Sequence, residues 1–205
     1  MTSSLRFLMH SSEPQQSKAT RPTRAIRHSS RRASASDLPW ELISTSHQHT
    51  TRLGRAIGHV LRGGETIALY GPLGAGKTTL VRGIAVCLNA SPTAVTSPTF
   101  VVIHEYRGRL PLAHVDLYRI RSLRDLESTG LIEYFSGQTV TAIEWADKGL
   151  TELPKDRIEI ALNHRAARSR TIRLDVTGPK SHEVLALARQ QYSKSAKRHR
   201  AATRL

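Results

Sequence analysis

Between Leu38 and Val176 the hydrophobic period of the chain switches repeatedly between two and about 3.6, the signature of strands alternating with amphipathic helices. Leu38-Pro39-Trp40-Glu41-Leu42-Ile43 has the short alternation of an edge strand. Leu53, Ala56, Ile57, Val60 and Leu61 then fall at i, i+3, i+4, i+7 and i+8, one apolar face of a helix that Ser46 is placed to cap and Gly63-Gly64 to end. Thr66–Tyr70 reads as a buried strand, and a helix is expected from Lys77 to Leu88 with Leu80, Val81, Ile84, Val86 and Leu88 turned inward. After the break at Ser97-Pro98-Thr99, Phe100-Val101-Val102-Ile103 predicts a strand, Arg107-Gly108-Arg109 a turn, and Leu110–Tyr118 the returning strand of a hairpin. Short helical pieces are expected over Leu123–Gly130 and Leu131–Phe135, and a buried strand over Thr139–Ile143. Late strands follow over Arg157–Leu162 and Thr171–Val176, then a short helix over residues 182–192. This order predicts an α/β fold, and the hairpin makes its sheet mixed rather than purely parallel.

Charge separates the ends from the middle. The chain has 205 residues and a formal charge of +15. Residues 1–38 hold 7 Lys/Arg against 2 acids, and residues 179–205 hold 7 against 1. The expected division is a disordered basic extension over 1–37, a folded domain over 38–178, and a short helix with a basic tail over 179–205. The first 36 residues are rich in Arg and Ser and have Glu13 as their acid, which reads as a disordered extension and also resembles an organellar transit peptide. Such ends either lie in solvent or attract RNA or another anionic partner. No apolar run approaches the roughly 20 residues that span a bilayer, so no membrane partner and a cytoplasmic location are expected. The single Cys87 excludes an internal disulfide and a cysteine-based metal cluster.

The most specific chemistry follows the strand Thr66–Tyr70. Gly71 to Thr79 read GPLGAGKTT, the phosphate-binding loop pattern in the strand–loop–helix position where it works. The fold class is therefore a P-loop NTPase-like mixed sheet flanked by helices, with ATP or GTP as the ligand. Gly71, Gly74 and Gly76 let the backbone turn and bring its N–H groups to a phosphate. The next helix points its positive end at the same place. Lys77 is expected at the β/γ oxygens, the Thr78 hydroxyl on Mg²⁺, and Thr79 at the α-phosphate. Hydrolysis or transfer also needs a carboxylate at a neighbouring strand end, and Asp116 and Glu144 each end an apolar strand. One could serve the metal while the other polarises water; the sequence leaves the assignment open. Ser97-Pro98-Thr99 reads by itself as a turn, His114 as a structural histidine, Trp145 as core or contact, and Arg119 and Arg121 as solvent-facing.

The series GPLGAGKTTLVRG (71–83), SPTFVVIHEY (97–106), HVDLYRI (114–120), GLIEYF (130–135) and IEW (143–145) resembles the TsaE (YjeE) family over about residues 38–176. The resemblance implies a small bacterial P-loop ATPase that binds ATP with Mg²⁺ and hydrolyses it slowly. It implies support of a TsaB–TsaD complex that forms threonylcarbamoyladenosine beside the anticodon of tRNAs reading ANN codons, with the transfer itself on TsaD and tRNA met indirectly through that complex. By motif, Gly74, Ala75, Gly76, Lys77, Thr78 and Thr79 would hold the phosphates, Thr78 and Glu144 the metal, and Asp116 would support catalysis. Ser97-Pro98-Thr99 becomes a switch-like segment, and His47 and Ser169 would line the adenine end. Pro72 and Ala146 depart from the family's common Asp and Pro without removing a ligand. Two other readings remain: a small-molecule or nucleoside kinase on the same loop, and a non-enzymatic RNA-binding protein driven by its basic ends.

Overall fold

Thr66–Tyr70 lies at the middle of one seven-stranded sheet. The computed structural model describes residues 39–90, 95–149 and 151–202, all within one compact unit; the expected extension over 1–37 lies outside them. The elements are β1 (Trp40–Ser44), α1 (His47–Val60), β2 (Thr66–Tyr70), α2 (Lys77–Cys87), β3 (Ile103–Tyr106), β4 (Leu112–Asp116), α3 (Leu123–Glu127), β5 (Val140–Glu144), β6 (Ile158–Ala166), β7 (Ser169–Val176) and α4 (Pro179–Ala202). Short 3₁₀ turns cover Leu131–Phe135 and Ala146–Gly149. The sheet order is β1-β7-β6-β2-β5-β4-β3. The central strands β6, β2, β5 and β4 run parallel; β3 pairs antiparallel with β4, β7 antiparallel with β6, and β1 antiparallel with β7. The expected mixed α/β sheet is thus the observed one.

Successive residues of the central strands enter opposite layers. Ile67 and Leu69 of β2 join a core beneath α1, α2 and α4, and Ala68 joins the second core beneath α3 and the 3₁₀ turns. Ser46 caps α1 by accepting from His49 N at 3.1 Å. α1 and α2 touch backbone to backbone: a Cβ on Gly83 would stand 2.3 Å from Thr51 O, and one on Gly54 would stand 2.2 Å from Leu80 O. Arg109 ties off both helices, its guanidinium donating to Gly58 O, Leu61 O and Cys87 O.

Three expectations change. The strand expected over Phe100–Ile103 begins only at Ile103, because Pro98 O accepts from Val101 N and Val102 N and folds the segment into a turn. Phe100 is left 87% exposed there. Val86 is half-exposed on α2, and Ala85 takes the buried place beside Ile84. The short helix and tail expected over 179–205 are instead a helix of 24 residues. Pro179 sits in its first turn, where a missing N–H costs nothing, and Asp156 accepts from Lys180 N and Ser181 N at 2.9 Å each. Val184, Leu185 and Ala188 are buried in the core that holds Trp40, and the Tyr192 ring meets Trp40 edge-on at 5.4 Å. α4 therefore belongs to the folded domain.

Candidate active site

β2 is buried along its length and delivers the chain to the glycine loop at the carboxyl end of the sheet, the place where open α/β sheets put their ligands. Gly71 adopts φ 127°, and a Cβ there would lie 2.0 Å from Leu162 O of β6. Gly74 (φ 74°) and Gly76 (φ 105°) hold left-handed backbone that a side chain would strain. Gly76 is the N-cap of α2 and provides no side-chain bond, so the helix presents its first amides to the cradle.

Lys77 is buried and folds back along its own loop. Its Nζ donates to Gly71 O at 2.7 Å and Pro72 O at 3.0 Å and stands 4.0 Å over the Trp145 ring. Burial draws its pKa below the ordinary lysine value, with Glu144, Asp116 and Asp147 acting in the opposite direction. The Trp145 ring is set there by a backbone in the left-handed region (φ 57°), a costly conformation for a bulky residue. Tyr118 also packs on Trp145, ring to ring at 5.0 Å.

The two carboxylates stand side by side, since β4 and β5 pair in parallel with Asp116 opposite Glu144. Both are almost wholly buried. Glu144 Oε1 accepts from the Thr78 hydroxyl at 2.7 Å and meets His114 Nε2 at 2.9 Å. An ionised carboxylate only accepts, so His114 donates through Nε2; its Nδ1 is buried and has no partner among the described residues. Asp116 Oδ2 accepts from Ser97 Oγ and Thr99 Oγ1 at 2.6 Å each, and Oδ1 accepts from Tyr118 N at 2.9 Å. The Ser97-Pro98-Thr99 segment is therefore tied to one carboxylate and the glycine-loop helix to the other. It is followed by Val102 at φ 70°, a β-branched residue in left-handed backbone.

A cavity of about 450 Å³ opens beside the loop, lined by His47, Gly74, Gly76, Thr79, Arg168 and Arg170 among others. His47 lines this cavity. Ser169 does not line the cavity; its neighbours Arg168 and Arg170 do, and Arg170 donates to Gly74 O at 3.3 Å. Arg170 belongs to the turn that the resemblance pointed to, whereas His114 and Trp145 complete the site without having been singled out for it. His114 alone left a signal, its i, i+2 spacing from Asp116 on one strand face.

Comparison with known proteins gives a consistent answer. The family profile described as threonylcarbamoyl adenosine biosynthesis protein TsaE matches residues 44–172. The tRNA threonylcarbamoyladenosine biosynthesis protein TsaE of Treponema pallidum is 40% identical over 130 residues, covering 63% of this chain and 96% of that protein. The protein of the same description from Bacillus subtilis is 36% identical over 142 residues, covering 69% of this chain and 87% of its own length. The crystal structure of Bacillus subtilis YdiB superposes with a TM-score of 0.62 at 30% identity, over 75% of this chain and 96% of that one. With the profile spanning residues 44–172 and the motif residues gathered at one end of the sheet, the chain belongs to the TsaE family of tRNA threonylcarbamoyladenosine biosynthesis proteins.

Proposed function

We propose that the chain binds ATP with Mg²⁺ on Gly71–Thr79, hydrolyses it, and thereby supports a TsaB–TsaD complex in forming threonylcarbamoyladenosine beside the anticodon of tRNAs reading ANN codons. The observation that carries this reading is the hydrogen-bonded series His114–Glu144–Thr78, set beside Asp116 with Ser97 and Thr99. It supplies the carboxylates that a bare phosphate loop lacks and a segment that responds to them. The chain takes no transferase role, which falls to TsaD.

The residues present fit both groups. The cradle of Gly71, Gly74, Ala75 and Gly76 and the first turn of α2 offer backbone N–H groups to phosphates, and the Thr79 hydroxyl lies beside them. The Thr78 hydroxyl and the Glu144 carboxylate are hard oxygen donors of the kind Mg²⁺ takes together with substrate phosphates, and they would hold it. Bound there, the ion neutralises charge that builds on the phosphate oxygens. Lys77 exchanges the carbonyls of Gly71 and Pro72 for the β/γ oxygens. With Glu144 serving the metal beside Thr78, Asp116 is left as the carboxylate that polarises the attacking water. To do so it must release Ser97 or Thr99, both on Oδ2. Freeing Ser97-Pro98-Thr99 then couples the nucleotide state to a surface segment, as an ordered–disordered switch would. His47 and Arg170 line the adenine end.

The test is phosphate release from labelled ATP, alone and with TsaB–TsaD, together with tRNA modification. Free phosphate whose release rises when the complex is added supports the reading. Label on a small metabolite would turn it into a kinase. Lys77→Ala and Glu144→Ala should each abolish supported modification with the fold retained by circular dichroism, and modification at the unaltered rate in either variant refutes the site.

A further inference from the structure

The charges of this chain are sorted by layer. Residues 45–62, 77–90 and 184–202, which form α1, α2 and nearly all of α4, contain no Asp or Glu. These helices share one face of the sheet. Asp125, Glu127, Glu133, Asp147 and Glu152 all lie in the segments that cover the other face. Glu183, at the start of α4, borders the acid-free layer and is paired with Arg62 at 3.2 Å.

The layer also contains a cavity rich in hydrogen-bond donors. This cavity of about 450 Å³ between α1, the end of α2 and α4 is lined by Arg52, Arg55, His59, Cys87, Gln191 and Ser195, with Ala56. Apart from Ala56, each of these side chains can donate a hydrogen bond, and none is a carboxylate. Arg52 places one guanidinium nitrogen 3.1 Å from Tyr192 OH and lies over that ring at 4.8 Å, while its Nε is buried without a partner among the described residues. Arg55 and Arg109 are the charges felt at Cys87 on the same wall. Arg189, Lys194 and Lys197 are exposed on α4.

We propose that the α1/α4 layer is an RNA-binding surface, with the cavity seating a backbone phosphate and the exposed α4 cations taking its neighbours. A polyanion suits a face with many donors and no acids. RNA rather than an anionic membrane is the occupant because none of the large exposed hydrophobics of the described residues lies on α1, α2 or α4, and a helix that enters a lipid interface needs an apolar face. A family of tRNA modification gives that RNA its natural identity. The surface lies apart from Lys77, Asp116 and Glu144, so it stands or falls separately from the nucleotide site.

The experiment is fluorescence anisotropy of the full chain with labelled, unmodified tRNA across a salt series. The unaltered chain should bind with a steep salt slope, and Lys77→Ala should bind the same. Arg55→Glu with Lys194→Glu, two exposed positions, should weaken binding at least about tenfold and flatten the slope by about one for each phosphate that is no longer neutralised. ATP hydrolysis by this variant alone should be unchanged, which shows that the fold and the other site survive. Arg121→Glu with Arg124→Glu, on the opposite layer, should bind like the unaltered chain. Equal binding by the two double variants overturns the proposal, as does weakened binding to vesicles of anionic lipid with no change for tRNA.

Discussion

Glu144 shows how far single residues in the site depend on one another. Its Oε1 serves both Thr78 and His114 inside a buried pocket. His114→Ala removes one donor from a buried carboxylate, a loss of about 1–3 kcal/mol. The thermal midpoint should fall, and ATP hydrolysis should drop about tenfold with KM for ATP little changed, since His114 positions a side chain rather than touching nucleotide. His114→Asn, which keeps a donor, should recover part of the rate; a variant that loses stability with an unchanged rate would leave His114 only a packing role. At this scale Lys77, Thr78, Asp116 and Glu144 were legible, because a local motif and two strand ends mark them. Their partnerships were not. That Glu144 serves Thr78 and Asp116 serves Ser97 and Thr99 follows from the β4–β5 register, which no local pattern carries. Trp145 was illegible as a site residue, because its place over Lys77 goes with a left-handed backbone that no local pattern signals.

Elements meet through positions that look ordinary in the sequence. Gly83 faces Thr51 O and the Gly54 Cα across the α1–α2 contact. Alanine would gain up to about 1 kcal/mol of helix propensity but would push the two helices apart at a cost of about 1–3 kcal/mol. Gly83→Ala should therefore lower the urea midpoint with an unchanged m value. Asp156 holds the first turn of α4. Burial alone would raise its pKa, but the Ser181 amide and hydroxyl and the Lys180 amide outweigh it and hold the carboxyl below its ordinary range. A depressed carboxylate contributes stability above its unfolded pKa of about 3.9, lost as pH falls through the folded value. Asp156→Asn should lower the thermal midpoint at neutral pH, and the difference should close as the solution is acidified below about pH 4. The strands and the first two helices were legible from their periods. The strand misplaced at Phe100 and the shortened α4 were not, because the segment around Pro98 is held on Asp116 through Ser97 and Thr99, and α4 is docked on Trp40, partners distant in the chain.

For the whole molecule, α4 decides what the minimal folded unit is. Val184 and Leu185 are buried with Trp40, and burying such aliphatic side chains is worth about 1.5–3 kcal/mol each. A chain ending at Gly178 should lose several kcal/mol and show this as a thermal midpoint far below that of the full chain, or as aggregation; an unchanged midpoint would return α4 to the status of a tail. Composition alone located the positive charge near the ends, and only the packing showed that one end forms part of a helical layer free of acids. By itself the sequence determined the mixed α/β class and the phosphate loop, with two carboxylates waiting at strand ends, because each of these is written in periods and spacings of a few residues. The tertiary structure decided which carboxylate meets which hydroxyl, that α4 closes the core, and which charges share a face. Those depend on strand order and on crossovers joining residues tens of positions apart, where packing and not local propensity selects the arrangement.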